Sequence, residues 1–182
     1  PMRSSAASDV YKRQIYNFES LRSSMDDYAW RTFGDSETIL ALYEKSIRSG
    51  QKASAKDHGD WIKQLDGMFA FALWDAHNNQ LVLARDEMGI KPLVRSLIGS
   101  SLVFSSEVKG LRAHPGFEPQ LDEQALMARL VWEYPLDATT LFLDVHQVRP
   151  GCVEVWSLEE GQPILTDSYR FSEPKMMPSG QY

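Results

Sequence analysis

One thiol, four imidazoles and a scatter of carboxylates are the groups of this 182-residue chain that could carry covalent or proton-transfer chemistry. Cys152 is the lone cysteine, so neither an internal disulfide framework nor a cysteine-rich zinc site can form. It follows the turn Pro150-Gly151 at the start of an apolar run and reads as a structural thiol, not a nucleophile. His58, His77, His114 and His146 lie far apart without metal-ligand spacing and read as surface or loop residues. Arg85 and Asp86 close an apolar run just before a connection holding Gly89 and Pro92, which predicts an internal ion pair that shapes that connection. Lys91 precedes Pro92 and is expected to be extended and architectural. Glu107 follows two serines at a short helix start, where a negative charge suits the dipole. Asp35 stands in Gly34-Asp35-Ser36-Glu37, a turn and helix N-cap signal in which backbone N–H groups would hold the carboxylate.

The elements that must position these groups follow from periodicity. Ile15–Phe18 reads as the end of a strand, and Glu19–Trp30 as a short amphipathic helix with Leu21, Met25 and Tyr28 at helical spacing. Arg31–Phe33 is expected to be a brief strand. The helix entered at Glu37 sets Ile39, Leu40, Leu42, Tyr43 and Ile47 on one face and is expected to stop at Gly50. Gln51–Gly59 is polar and reads as a loop, with one or two helical turns from Asp60 to Leu65. Phe69–Asp75 is a continuous apolar run, as a strand buried on both faces requires, and Gln80–Arg85 returns as its partner. Gly99-Ser100 marks a hairpin between Leu93–Ile98 and Ser101–Ser105. Short helices are expected at Glu107–Arg112 and from Leu121-Asp122 to Trp132, and strands at Thr139–Leu143 and Cys152–Trp156. Glu173–Tyr182 reads as a linker or frayed end. Hairpins with helices set between them argue for an α+β domain of packed antiparallel sheets over a parallel βαβ sheet.

Composition narrows the function classes. A net charge of −6 and a sequence pI near 5.2 argue against a nucleic-acid partner held by phosphate neutralisation. No stretch reaches the roughly 20 apolar residues of a membrane span, and no apolar signal segment opens the chain. A single thiol fits a reducing cytoplasm. Hydrophobic residues at 43% supply a core for one domain of ordinary size. Ser4–Gln14 (SSAASDVYKRQ) matches the translation of a common transposon-based sequencing adaptor. Residues 1–14 are therefore read as foreign and disordered, and set aside as an expression scar is.

Six segments in order resemble the glutaminase domain of class II glutamine amidotransferases, within them the glutamine-hydrolysing asparagine synthetase branch. They are IYNFESLR (Ile15–Arg22), GDSETIL (Gly34–Leu40), LDGMFAFALWD (Leu65–Asp75), LARDEMGIKPL (Leu83–Leu93), FSSEVKGL (Phe104–Leu111) and TLFLDVHQVRPG (Thr140–Gly151). The resemblance implies a partial amidotransferase domain over residues 15–171 and a linker over 172–182. It also implies an αββα sandwich of the N-terminal-nucleophile type, incomplete at its N-terminus.

In that family a Cys at the chain start attacks the glutamine carboxamide, an Asn side chain and a Gly N–H hold the oxyanion, and ammonia leaves. The ammonia then reaches a C-terminal synthetase domain that uses ATP and Mg²⁺ to activate aspartate. Here Pro1 opens the chain, and Lys12-Arg13-Gln14 stand where the family has Asn-Gly-Glu, so the resemblance implies an inactive fragment with no cofactor of its own. One substrate contact matches: Asp35 aligns with the Asp that binds the glutamine α-amino group. A fixed carboxylate suits an ammonium, at about 1.5–3 kcal/mol for a charge-assisted hydrogen bond. Tyr16 and Asn17 border the oxyanion element and are left without a role. Two alternatives stand beside this reading: a glutaminase domain serving another acceptor, and a non-catalytic binding module of the same fold.

Overall fold

The computed structural model describes residues 13–47, 52–134 and 137–173. Among them two antiparallel sheets stack with helices on both outer faces. The larger sheet has the order β1-β2-β3-β7-β8, from Arg13–Ile15 (β1), Gly67–Asp75 (β2), Gln80–Arg85 (β3), Cys152–Glu159 (β7) and Gln162–Arg170 (β8). The smaller has the order β5-β4-β6, from Val94–Ile98 (β4), Ser101–Ser105 (β5) and Val145–Gln147 (β6). The expected α+β sandwich of two antiparallel sheets is the fold observed.

β2 explains why the sheets stack. Its side chains alternate between faces, as any strand's do. Phe69, Phe71 and Leu73 point to the helices, where they pack with Ile39, Leu42, Trp61 and Ile62. Ala70 and Ala72 point the other way, with Leu83 and Trp156 of the large sheet and Leu93 and Val148 across from it. Both faces are buried, as the continuous run predicted.

The outer layers are helical. α1 (Phe18–Ser23), α2 (Ser36–Ser46) and α3 (Ala55–Ile62) form one of them. α3 is a correction, because its first half was expected to be loop. Ser54 Oγ accepts the Asp57 N–H while Asp57 accepts the Ser54 N–H, a reciprocal cap that starts the helix within polar sequence. Gly59 is needed there, since a Cβ would meet the Tyr169 ring of β8 at 2.6 Å. On the far side α4 (Val108–Leu111) packs on the small sheet around Val94, Leu111 and Val145, and α5 (Glu123–Trp132) stands beyond an open cleft from it.

Further expectations change, and the helix expected over Glu19–Trp30 runs only over Phe18–Ser23. Arg31–Phe33 forms no strand, because its N–H groups at 31 and 32 bond the Glu37 carboxylate instead of a neighbour. Thr139–Leu143 makes only isolated bridges, and the strand is β6, a few residues on. Arg13 and Gln14, placed in the segment expected to be disordered, pair with Phe69 and Met68 as β1; residues 1–12 lie outside the described residues. α2 ends at Ser46, with Ile47 already extended, short of the stop expected at Gly50, and residues 174–182 of the expected linker lie outside the described residues. Phe171 is buried in the first core.

Candidate active site

The end of the large sheet where β1 meets β2 carries the sequence's candidate substrate contact. Ile15 lies opposite Gly67, and a Cβ at Gly67 would run into the Gln14 carbonyl oxygen, so only glycine lets the two strands approach. Beyond Ile15 the chain turns, and Tyr16 N–H donates to Asp66 O at 2.7 Å. Asn17 then clamps the turn leading into β2. Its amide Nδ2 donates to Gln64 O at 2.8 Å, and its Oδ1 accepts Asp66 N–H at 3.0 Å. Asn17 is thus structural, while Tyr16 is 61% exposed on the rim.

Asp35 is half-buried at the N-terminus of α2. Its side chain makes no capping bond to its own helix. It accepts the Ile15 N–H through Oδ2 at 3.2 Å and, weakly, the Ser36 hydroxyl through Oδ1 at 3.4 Å. The carboxylate therefore faces β1, with hydrogen-bonding capacity left over for a cationic group.

Glu37, two residues on, is what holds the approach loop. It is buried and accepts from Arg31 N–H at 2.8 Å, Thr32 N–H at 2.7 Å and Thr32 Oγ1 at 2.8 Å. Burial pushes its carboxyl upward, but the bonds from Thr32 and Arg31 outweigh that, with help from the Arg22 charge, and the net shift is downward. Arg22 stacks on the Trp30 ring at 4.0 Å. Sequence reading placed Glu37 only in the first turn of the helix; nothing in its spacing marks the backward reach.

Arg85 and Asp86 make no ion pair, contrary to expectation. Successive residues of a strand point to opposite faces, so the two side chains diverge. Arg85 donates to Gly89 O and Lys91 O at 2.8 Å, Val148 O at 2.9 Å and Gln147 Oε1 at 3.1 Å. Asp86 accepts from Ile90 N–H at 2.9 Å, Lys91 N–H at 3.0 Å and Met88 N–H at 3.2 Å. The pair still builds the 86–92 connection, but through its backbone. Asp86 N–H in turn donates to Phe69 O at 2.8 Å, which ties the connection to the β1–β2 end. Glu107 ion-pairs with Lys109 on the exposed surface, at 2.6 Å.

Cys152 belongs elsewhere. It opens β7, three strand positions from β1 and hence about 14 Å across the sheet. It lines a cleft of 560 Å³ shared with Arg95, His146 and Glu154. Burial pushes its thiol pKa up, more than the nearby Arg170 and Arg149 pull it down. This is the environment of an unreactive thiol, as the sequence suggested.

Of the histidines, His77 and His146 are exposed and His114 is half-buried. His58 corrects the surface reading. It is 1% exposed within α3, its Nδ1 accepts the Trp61 indole N–H at 3.3 Å, and its Nε2 has no partner. Burial pushes its pKa down to about 4, against smaller opposing pulls from Asp57 and Asp75. The signal that could have found it is Ser54-x-x-Asp57, which begins a helix with His58, Trp61 and Ile62 on its inner face. Among the described residues no group of three His, Cys, Asp or Glu could hold a metal.

Two antiparallel sheets between helical layers, with a carboxylate set at the end of β1, define an αββα sandwich of the N-terminal-nucleophile amidotransferase type. The solved structure of the glutamine phosphoribosylpyrophosphate amidotransferase from B. subtilis, complexed with ADP and GMP, has the same fold. It superposes with a TM-score of 0.59 at 20% identity, over 94% of this chain and 30% of that one. The family model described as a glutamine amidotransferase domain matches residues 1–169, and the chain belongs to that family, in its class II branch. Among curated relatives, asparagine synthetase (glutamine-hydrolysing) 3 of Bacillus subtilis (strain 168) is 30% identical over 145 residues, covering 78% of this chain and 22% of that protein. A putative asparagine synthetase (glutamine-hydrolysing) of Mycobacterium bovis is 32% identical over 163 residues, covering 86% of this chain and 23% of that protein. The chain thus spans less than a quarter of the length of these two relatives.

Proposed function

We propose that this chain is the glutamine-binding part of a longer glutamine-hydrolysing asparagine synthetase. The parent releases ammonia from glutamine and uses it in the ATP-dependent amidation of aspartate to asparagine. ATP and Mg²⁺ act in a synthetase portion outside these 182 residues. The observation that carries this reading is Asp35: a carboxylate at a helix start that does not cap its helix and is presented to the β1 end, in register with the family motif. It serves to bind the α-ammonium of glutamine.

On this reading the 182-residue chain itself does not turn glutamine over. Its single thiol is half-buried, held protonated by its surroundings and well apart from Asp35. Residues 1–14 remain read as adaptor sequence; native coverage of the Gln14–Ile15 junction in the source DNA would overturn that part.

The test is a coupled assay on the complete polypeptide that the gene encodes, with glutamine, aspartate and ATP. Asparagine and glutamate should form in step. Glutamate without asparagine would point to another acceptor, and neither product to a binding module. The 182-residue chain assayed alone should release no ammonia, and Cys152→Ala should change nothing.

A further inference from the structure

Helix α5 turns an apolar stripe away from its own domain. Met127, Leu130 and Val131 follow the i, i+3, i+4 spacing that sets three side chains on one helical face, and they are 61%, 68% and 65% exposed. Trp132 and Tyr134 extend the patch where the chain leaves the helix through left-handed Glu133. No residue of α5 is buried. The other long helices put the same spacing into the core: α2 buries Ile39, Leu42 and Tyr43, and α3 buries Trp61 and Ile62.

α5 is nonetheless a firmly specified helix. Asp122 caps it by accepting the Ala125 N–H at 2.9 Å, and Glu123 occupies its first turn. On its other side Ala125 and Arg129 line an open cleft shared with Val94 of β4 and Val108 of α4. An apolar face this continuous, on a helix so well defined, exceeds what a monomeric domain ordinarily leaves in water.

We propose that this stripe is the surface on which the remaining, larger portion of the parent polypeptide packs. The occupant follows from length. The domain is 22% and 23% of the two relatives described above, so most of a chain of that length lies outside it and is at hand to cover the stripe. Domains joined without a large apolar contact move independently, whereas an apolar helix face fixes their relative position. The stripe contains no charge; Arg129 and Glu133 flank it, as polar groups rim a docking patch. The inference rests on the reading that the chain belongs to a longer polypeptide, and not on which acceptor that polypeptide amidates.

Hydroxyl-radical footprinting with mass spectrometry tests it, comparing the 182-residue chain with the complete polypeptide encoded by the gene. Met127, Leu130 and Trp132 should react at rates close to those of the unfolded chain in the short form, and at least ~5-fold more slowly in the complete one, as burial in an interface requires. Equal rates in the two forms would overturn the proposal. So would protection in the short form that grows with its concentration, because a second copy would then be the occupant. A gene that encodes nothing beyond these residues would overturn it as well. Labelling reads contact and not turnover, so a failed assay for asparagine leaves this result standing, and the reverse holds too.

Discussion

The Asp35 carboxylate accepts the backbone N–H of Ile15 at 3.2 Å, joining the start of α2 to the last residue of β1. The bond orients the carboxylate while using only part of its capacity. Asp35→Asn keeps an acceptor for Ile15 and removes the charge. In the complete polypeptide the KM for glutamine should therefore rise about 10- to 100-fold, the equivalent of about 1.5–3 kcal/mol. Synthesis from free ammonia and the urea midpoint should stay where they are. An unchanged KM for glutamine would remove Asp35 from the site.

Arg85 ties the 86–92 connection to Gln147 and Val148 through four neutral oxygens, two on each side, with no carboxylate partner. Arg85→Met retains much of the volume and removes every donor. Leaving these acceptors unmatched should cost about 2–4 kcal/mol. Urea unfolding followed by tryptophan fluorescence reads the loss. A shift of the midpoint no larger than that of an exposed Arg149→Met control would mean that the connection holds itself.

Tyr43 O–H donates to Asp75 Oδ2 at 2.6 Å beneath α2. Asp75 also accepts from the His77 N–H and the Asn78 side chain, and so closes the β2–β3 turn. Burial, and next the Asp75 bond, push the Tyr43 pKa upward, which is the sign of a phenol fixed as a donor. Tyr43→Phe should destabilise the domain by about 1–3 kcal/mol. Equilibrium unfolding at pH 7 measures it, and a change within error would show that Asp75 is satisfied by the turn alone.

His58 should make the fold acid-sensitive. Its pKa is near 4 when folded and 6.5 in the open chain, so the unfolded state binds the proton first. Its contribution is complete above pH 6.5 and declines as pH falls toward 4, by up to about 3 kcal/mol. The charged groups facing it, Asp57 and Asp75, oppose the shift and do not cancel it. The Asp75 carboxyl is itself raised by burial and lowered further by its bonds, so its own loss comes later, below pH 3.8. His58→Gln keeps an acceptor for Trp61 and should flatten stability between pH 6.5 and 4. An equally steep profile in the variant would assign the acid sensitivity to carboxylates.

The sheets were legible in the sequence because their strands carry their own pattern. FAFALWD and QLVLAR state which faces are buried, and Gly99-Ser100 fixes a hairpin without help from the rest of the chain. α3 was hidden because half of its residues are polar, the buried His58 among them, and its cap is written in only two residues, Ser54 and Asp57. β8 was missed for the opposite reason: as an edge strand it is largely exposed and shows no apolar run. The site divides in the same way. The place of Asp35 at a helix start could be read from its motif, since a turn and a helix start are local. What surrounds it was not legible, because the Glu37 reach to Arg31 and Thr32, and the Arg85 bonds to Gln147 and Val148, are made by the folded geometry and leave no periodic trace.

The two-handed grip of Asn17 on Gln64 and Asp66 carries a consequence for how this corner fails. A cleft assembled from separate loops can loosen on its own while the body of the protein stays intact. Here the bend after β1 is bolted to the segment feeding β2, and β2 is buried on both faces through its middle. Melting followed at the Asp35 corner, for example by hydrogen exchange of the Ile15 and Asp66 amides, should coincide with melting of the whole. If Asp35 binds glutamine as proposed, that binding should survive heating for as long as the core does and no longer.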